Sequence, residues 1–227
     1  MTNLLELENI HKDIDLTKSL NELEVAKGKF KFYHYKCDFF DDIGWGCGYR
    51  TLQMICSWIN EQILRESKLY NIDNVVLNNI PSIPDIQKIL VQSGDKNSDF
   101  IDSKEWIGCF ETSIVIDTLY NVSCKILHCS PGDLFKYTEI IAEHFRNFGS
   151  PIAIGGNLDN SSKGILGLAV DSDLKVQFLV TNPHFVTKNI TKKSDLFEGN
   201  WIEWRSIDSF DSESFYNLCL PQVKAKF

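Results

Sequence analysis

One cysteine in this chain has the surroundings of a nucleophile. Cys47 lies in the string Asp41-Asp42-Ile43-Gly44-Trp45-Gly46-Cys47-Gly48-Tyr49-Arg50, and the residues after it repeat apolar side chains at the helical period. That spacing predicts Cys47 at the first turn of a helix. There the dipole and the unpaired backbone N–H groups favour a thiolate, the form that attacks carbonyl carbon. Gly46 and Gly48 carry no side chain to block an approaching substrate backbone, and the Cys47 N–H is placed to donate to an oxyanion. A thiol nucleophile needs a base, which a histidine far along the chain can supply once the fold brings it near. Of the five histidines, His184 fits best. It follows an apolar run in Thr181-Asn182-Pro183-His184-Phe185, Pro183 fixes the backbone, and Asn182 can accept a hydrogen bond from one imidazole nitrogen. His11 falls in a polar stretch, and His34, His128 and His144 fall inside predicted elements. Taken locally, Cys47 is equally a buried cysteine in a glycine-rich turn. Tyr35 reads as a core tyrosine, Asp41 and Asp42 as a solvated turn, and Trp45 and Trp106 as walls of a core or a cleft.

Composition narrows the function further. With 227 residues, 43% hydrophobic and 24% charged, the chain has the make-up of one ordinary globular domain. A net charge of −8 and the lack of any Lys/Arg run argue against a nucleic-acid surface. No stretch approaches the roughly 18 apolar residues that span a bilayer. Met1–Asn21 is interrupted by Glu6, Glu8, Lys12, Asp13 and Asp15 and lacks the apolar core of a signal peptide. The expectation is a soluble cytoplasmic monomer with no direct membrane insertion. Seven cysteines without a C-x-x-C pair read as small buried hydrophobes rather than a disulfide framework or a zinc site.

The elements that must carry these residues follow from periodicity and punctuation. Residues 1–28 are polar and weakly patterned and predict a short arm, with residues 29–227 as a single domain. Phe30–Tyr35 alternates and predicts a strand. Leu52, Ile55, Cys56, Ile59 and Ile63 mark one buried face of the helix opened by Cys47. Pro84 and Gly94 bracket a short helix with Ile86, Ile89 and Leu90 inward. Trp106–Tyr120 predicts a helix, Val122–His128 a strand, and Leu134 to Phe148 a helix stopped by Gly149. Five short strands follow, at 151–155, 165–170, 176–181, 201–205 and 215–220. Helices first and strands later predict an α+β domain with helices packed on a mainly antiparallel sheet. The order also matches a papain-like fold, with the nucleophile on an early helix and the histidine on a late strand.

Several strings together resemble the proteases specific for ubiquitin-fold modifier 1. They are Tyr33-His34-Tyr35-Lys36-Cys37-Asp38, Asp41-Asp42 followed by Gly44-Trp45-Gly46-Cys47-Gly48-Tyr49-Arg50-Thr51-Leu52-Gln53, Trp106-Ile107-Gly108-Cys109, Gly155-Gly156, Pro183-His184 and Ser214-Phe215-Tyr216-Asn217-Leu218-Cys219-Leu220. The resemblance runs from Lys29 to Pro221, and the length resembles the short, type 1 form. It implies a papain-like thiol protease or isopeptidase that cuts after the C-terminal glycine of the modifier, in its precursor or on target lysines, without a metal or organic cofactor. It further implies Cys47 as nucleophile, His184 as general base and Tyr35 as an oxyanion-hole hydroxyl. Trp45, Gly46, Gly48 and Trp106 would line the channel for the glycine tail. The chain departs from the family's Asp-Pro-His at Asn182, which can orient the imidazole but cannot stabilise an imidazolium by charge. Two alternatives stay open at this point: a pseudoenzyme that binds the modifier without cutting it, and an autophagy-type cysteine protease, which shares a Gly-Trp-Gly-Cys element.

Overall fold

The computed structural model describes residues 4–13, 19–73, 75–159, 161–186 and 192–223. Its central element is helix α1 (Cys47–Leu69), 23 residues and about 34 Å long at 1.5 Å per residue. The apolar period predicts one buried face, but every residue from Cys47 to Asn60 is buried. The polar ones among them find partners in neighbouring loops. Gln53 donates to the Pro81 carbonyl at 2.8 Å, Asn60 donates to Asn78 at 2.7 Å, and Ser57 accepts the Lys31 N–H at 2.9 Å. These bonds satisfy most of the buried polar groups, Thr51 Oγ1 and Asn60 Oδ1 excepted, so the helix can be enclosed on all sides at limited cost.

Helix α2 (Ile83–Gln92) starts at a capping box in which Ser82 and Asp85 bond reciprocally, with Pro84 in its first turn. Gly94 lies just past its end at φ +82°, a conformation glycine adopts without strain. Helices α3 (Cys109–Tyr120) and α4 (Thr138–Asn147) follow, and a short α5 (Ser194–Glu198) comes late.

Among the described residues the main sheet has seven strands. Strands β4 (Cys124–Cys129), β9 (Tyr216–Pro221), β5 (Ile152–Gly156), β6 (Lys163–Asp171), β7 (Val176–Thr181) and β8 (Ile202–Ser206) lie side by side in that order. All of these neighbours are antiparallel. The expected α+β architecture, with helices on a mainly antiparallel sheet, is what the chain forms. Side chains alternate between two cores. Ala153, Leu166, Leu179 and Cys219 join α1, α2 and α3 in one core, while Ile154, Leu168, Phe178 and Leu218 join α4 in the other. A sheet covered on both faces explains why its strands read as apolar runs rather than as a polar alternation.

Part of the segment expected to be an arm is sheet. Strand β2 (Leu20–Val25) pairs antiparallel with the far half of β6, and a side chain at Gly167 would strike Val25. Its acidic residues hid the pattern, because Glu22 reaches a partner far along the chain, Arg146, at 2.6 Å. Strand β1 (Glu6–Glu8) pairs with β3 (Lys29–Lys31), so the strand expected over Phe30–Tyr35 stops at Lys31. The backbone then turns, and the Tyr35 N–H donates to the Pro183 carbonyl at 3.0 Å. Trp106 precedes α3 instead of belonging to it.

His144 on α4 is 4% exposed. Its Nε2 meets Ser150 Oγ at 2.8 Å, and that hydroxyl donates to the Pro221 carbonyl, so Nε2 carries the proton of a neutral ring. Burial lowers its pKa from 6.5 to about 4. The unfolded chain therefore binds the proton first, and His144 costs stability as pH falls from 6.5 towards 4. Urea unfolding at pH 7 and pH 4 should show a stability loss about 3 kcal/mol larger for the wild type than for His144→Gln.

Candidate active site

The site is assembled where the start of α1 meets the end of β7. Cys47 is the first residue of α1, with Gly46 as its cap, and it is 6% exposed at the floor of a groove. His184 lies three residues past the end of β7. Between them stands Tyr35. Its hydroxyl lies near Cys47 and the Gly44 backbone, which both act on its ionisation, and its ring packs edge-on to the His184 imidazole, 5.2 Å between centroids. Burial first, then the neighbouring Cys47, push the Tyr35 phenol well above its ordinary range, so it stays a donor at any physiological pH.

Asn182 holds the imidazole from the other side. Its Oδ1 accepts the His184 backbone N–H at 3.1 Å and lies 2.5 Å from Nδ1. An oxygen that already accepts one N–H and faces Nδ1 requires the ring proton on Nδ1, which leaves Nε2 as the free base. Burial chiefly, then the Lys163 cation, lowers the His184 pKa, while Asp159 opposes them. The ring is therefore neutral at physiological pH. His34, which sequence reasoning left within a strand, braces this arrangement. It bonds the Tyr35 carbonyl at 2.9 Å and packs edge-on to Phe185.

The segment that carries Tyr35 to Cys47 is held by a buried charge cluster. Arg50, fully buried, grips Asp38 with two bonds of 2.8 Å, Asp42 with one of 2.8 Å and Gln53 with one of 3.0 Å. Asp42 also accepts the Lys36 N–H at 2.8 Å. Although burial works the other way, Arg50 holds the Asp38 carboxyl below its usual range. Asp42 was expected in a solvated turn, yet it is wholly buried, because a guanidinium in the first turn of an enclosed helix needs carboxylate partners. The signal was in the sequence as Asp38, Asp42 and Arg50 within thirteen residues, but turn spacing alone gives no register for a helix-to-loop pair.

The expected channel residues are not all in one place. Trp106 is 54% exposed on the groove wall, and its indole N–H donates to the Gly44 carbonyl at 3.3 Å. Trp45 instead is buried, packed edge-on between Phe40 and Tyr49. Gly46 and Gly48 are bare for the chain's own sake, since a Cβ at Gly46 would strike Asp42 and one at Gly48 would strike the Ile107 carbonyl. The groove, about 300 Å³, has Cys47, Trp106, Gly155, Asn157 and Phe215 in its walls. A Cβ at Gly155 would meet nothing. Cys109 also lines this groove, but its thiol bonds the Asn217 carbonyl at 3.0 Å and burial pushes it up to about 12, which leaves it inert. All seven cysteines are unpaired, and no metal-binding cluster occurs among the described residues. No helix among them is long and apolar enough to cross a membrane.

The profile of peptidase family C78 matches residues 21–219. The chain belongs to this family. It is 36% identical over 204 residues to Ufm1-specific protease 1 of Mus musculus, covering 88% of this chain and 86% of that relative. It is also 36% identical over 203 residues to Ufm1-specific protease 2 of the same organism, but there it spans only 40% of the relative's length. The crystal structure of UfSP from C. elegans superposes with a TM-score of 0.76 at 26% identity, covering 99% of this chain and 38% of that one. Cys47, Tyr35, Asn182 and His184 all fall inside the C78 match.

Removing Arg50 would leave Asp42 as an uncompensated buried charge. Arg50→Met should lower the free energy of unfolding by about 3–5 kcal/mol, measured by urea denaturation.

Proposed function

We propose that this C78 chain is a thiol protease that hydrolyses the bond after the C-terminal glycine of ubiquitin-fold modifier 1, in the precursor and on target lysines. The observation that carries the reading is the contact of one tyrosine with both reacting groups. Tyr35 lies beside Cys47 and packs its ring on His184. The family membership and the Ufm1-specific names of the relatives support the substrate.

In this mechanism Cys47 Sγ attacks the carbonyl carbon of the terminal glycine while its proton passes to His184 Nε2. Charge develops on the carbonyl oxygen, where the Cys47 N–H and the Tyr35 hydroxyl donate. A donor poised before substrate arrives costs no reorganisation during the reaction. Collapse breaks the C–N bond, and His184 returns the proton to the departing amine. The thioester left on Cys47 is then hydrolysed by a water that gives its proton to His184, freeing the modifier and the thiol. Asn182 keeps the imidazole in its Nδ1–H tautomer throughout, as Asn does in papain-like proteases.

The groove accounts for the preference. Gly155 leaves its wall open, which suits a tail without side chains. Exposed Phe39, Ile43, Trp106 and Phe110 would bear on the folded body of the modifier at the rim. The enzyme would work as a cytoplasmic monomer without a metal or organic cofactor, and seven unpaired cysteines suit a reducing compartment.

The purified chain should convert precursor ubiquitin-fold modifier 1 to its mature form, and Cys47→Ser should not. Binding without cleavage would move the chain to a modifier-binding pseudoenzyme. Cleavage of autophagy modifiers in preference to this one would move it to that class. Tyr35→Phe should lower kcat about 100-fold or more with KM little changed, the pattern of a lost oxyanion donor.

A further inference from the structure

An ion pair between buried Lys163 and half-buried Asp159 sits level with the residue that holds the general base and has no part in the mechanism above. Lys163, the first residue of β6, is 5% exposed. Its ammonium donates to both carboxylate oxygens of Asp159, at 2.9 and 3.1 Å, to the Ser161 carbonyl at 3.1 Å, and to the Ser161 hydroxyl. Asp159 is held in turn by the Ser161 hydroxyl at 2.6 Å. Its own loop is tied down by Ser214, whose Oγ accepts the Leu158 and Asp159 N–H groups.

The strand register brings this pair to the site. Gly164 pairs with Thr181 across the antiparallel β6–β7 ladder, so Lys163 stands level with Asn182, the residue that holds His184. Asn157, two residues before Asp159, and Ser162, next to Lys163, line the catalytic groove. Tyr35 and, behind it, His34 face the imidazole from the segment after β3, Cys47 lies beyond Tyr35, Asp159 acts from the β5–β6 connection and Lys163 from the start of β6. Of these, Lys163 and Asp159 are the pair of fixed opposite charges.

We propose that Lys163 and Asp159 are positioning residues that set the electrostatic surroundings of His184, in a site whose orienting residue, Asn182, carries no charge. The proposal rests on His184 being the base of the peptidase described above. A lone buried Lys163 would drive the proton off His184, and a lone Asp159 would hold it on. Both signs are felt at the imidazole, and the paired state balances them.

The test follows the His184 imidazole by NMR titration of the histidine-labelled chain, alongside the acidic limb of kcat/KM for precursor cleavage. Lys163→Met should move the His184 midpoint to higher pH and Asp159→Asn to lower pH, each by about half a pH unit or more. The acidic limb should move the same way in each. The double variant, which removes both charges, should return the midpoint towards that of the wild type, a rescue that a purely structural role would not produce. Shifts of the same sign in both single variants, or no shift in either, would overturn the proposal. The titration needs no substrate, so opposite shifts in a chain that cleaves nothing would refute the protease reading and leave the charge pair standing.

Discussion

A guanidinium buried in the first turn of an enclosed helix cannot be left unpaired, and much of the site's shape follows from that constraint. Arg50 is fully buried, and the two carboxylates that neutralise it, Asp38 and Asp42, both come from the segment before the helix. Satisfying Arg50 therefore folds residues 36–46 back over the start of α1. Asp42 fills the space beside Gly46, which is why that position has no room for a side chain. The same fold-back sets Tyr35 against Cys47. Its other anchor, the bond from the Tyr35 N–H to the Pro183 carbonyl, ties this segment to the strand end that carries His184. Nucleophile, oxyanion donor and base thus derive their relative positions from one buried charge and one backbone bond across almost 150 residues of chain.

The sheet supplies the second half of the arrangement. Helices cover both of its faces, and Asn182 and His184 follow directly on the end of β7. Neutral groups dominate at the reacting centre: a hydroxyl, an amide and an imidazole whose proton is disfavoured by burial. The charges that matter lie one step back, as Arg50 with its carboxylates on the helix side and Lys163 with Asp159 on the sheet side.

Much of this was legible in the residues. The late strands were found to within one or two residues, because Gly, Asn and Asp mark their ends, and Pro84 and Gly94 bracket α2 as capping chemistry requires. Cys47 at a helix start and Asn182 beside His184 followed from spacing. What was not legible depended on long-range pairing. Strand β2 carries Glu22 and Glu24, whose partner Arg146 lies on α4, so its alternation looked like a polar arm. Asp42 looked solvated, because the enclosure of α1 on every side from Cys47 to Asn60 does not show in its apolar period. Trp45 read as a wall of a core or a cleft, and the resemblance put it in the channel; it packs in the core between Phe40 and Tyr49. Lys163 lies before the strand expected at 165–170, and only the register with β7 sets it level with Asn182.

The most direct measurement is to react the chain with ubiquitin-fold modifier 1 bearing a C-terminal electrophile and to map the adduct by mass spectrometry. Seven thiols compete, and two of them, Cys47 and Cys109, line the same groove. A single adduct on Cys47, abolished in His184→Ala, is the expected result. An adduct on Cys109, or labelling of Cys47 that does not depend on His184, would contradict the assignment of nucleophile and base.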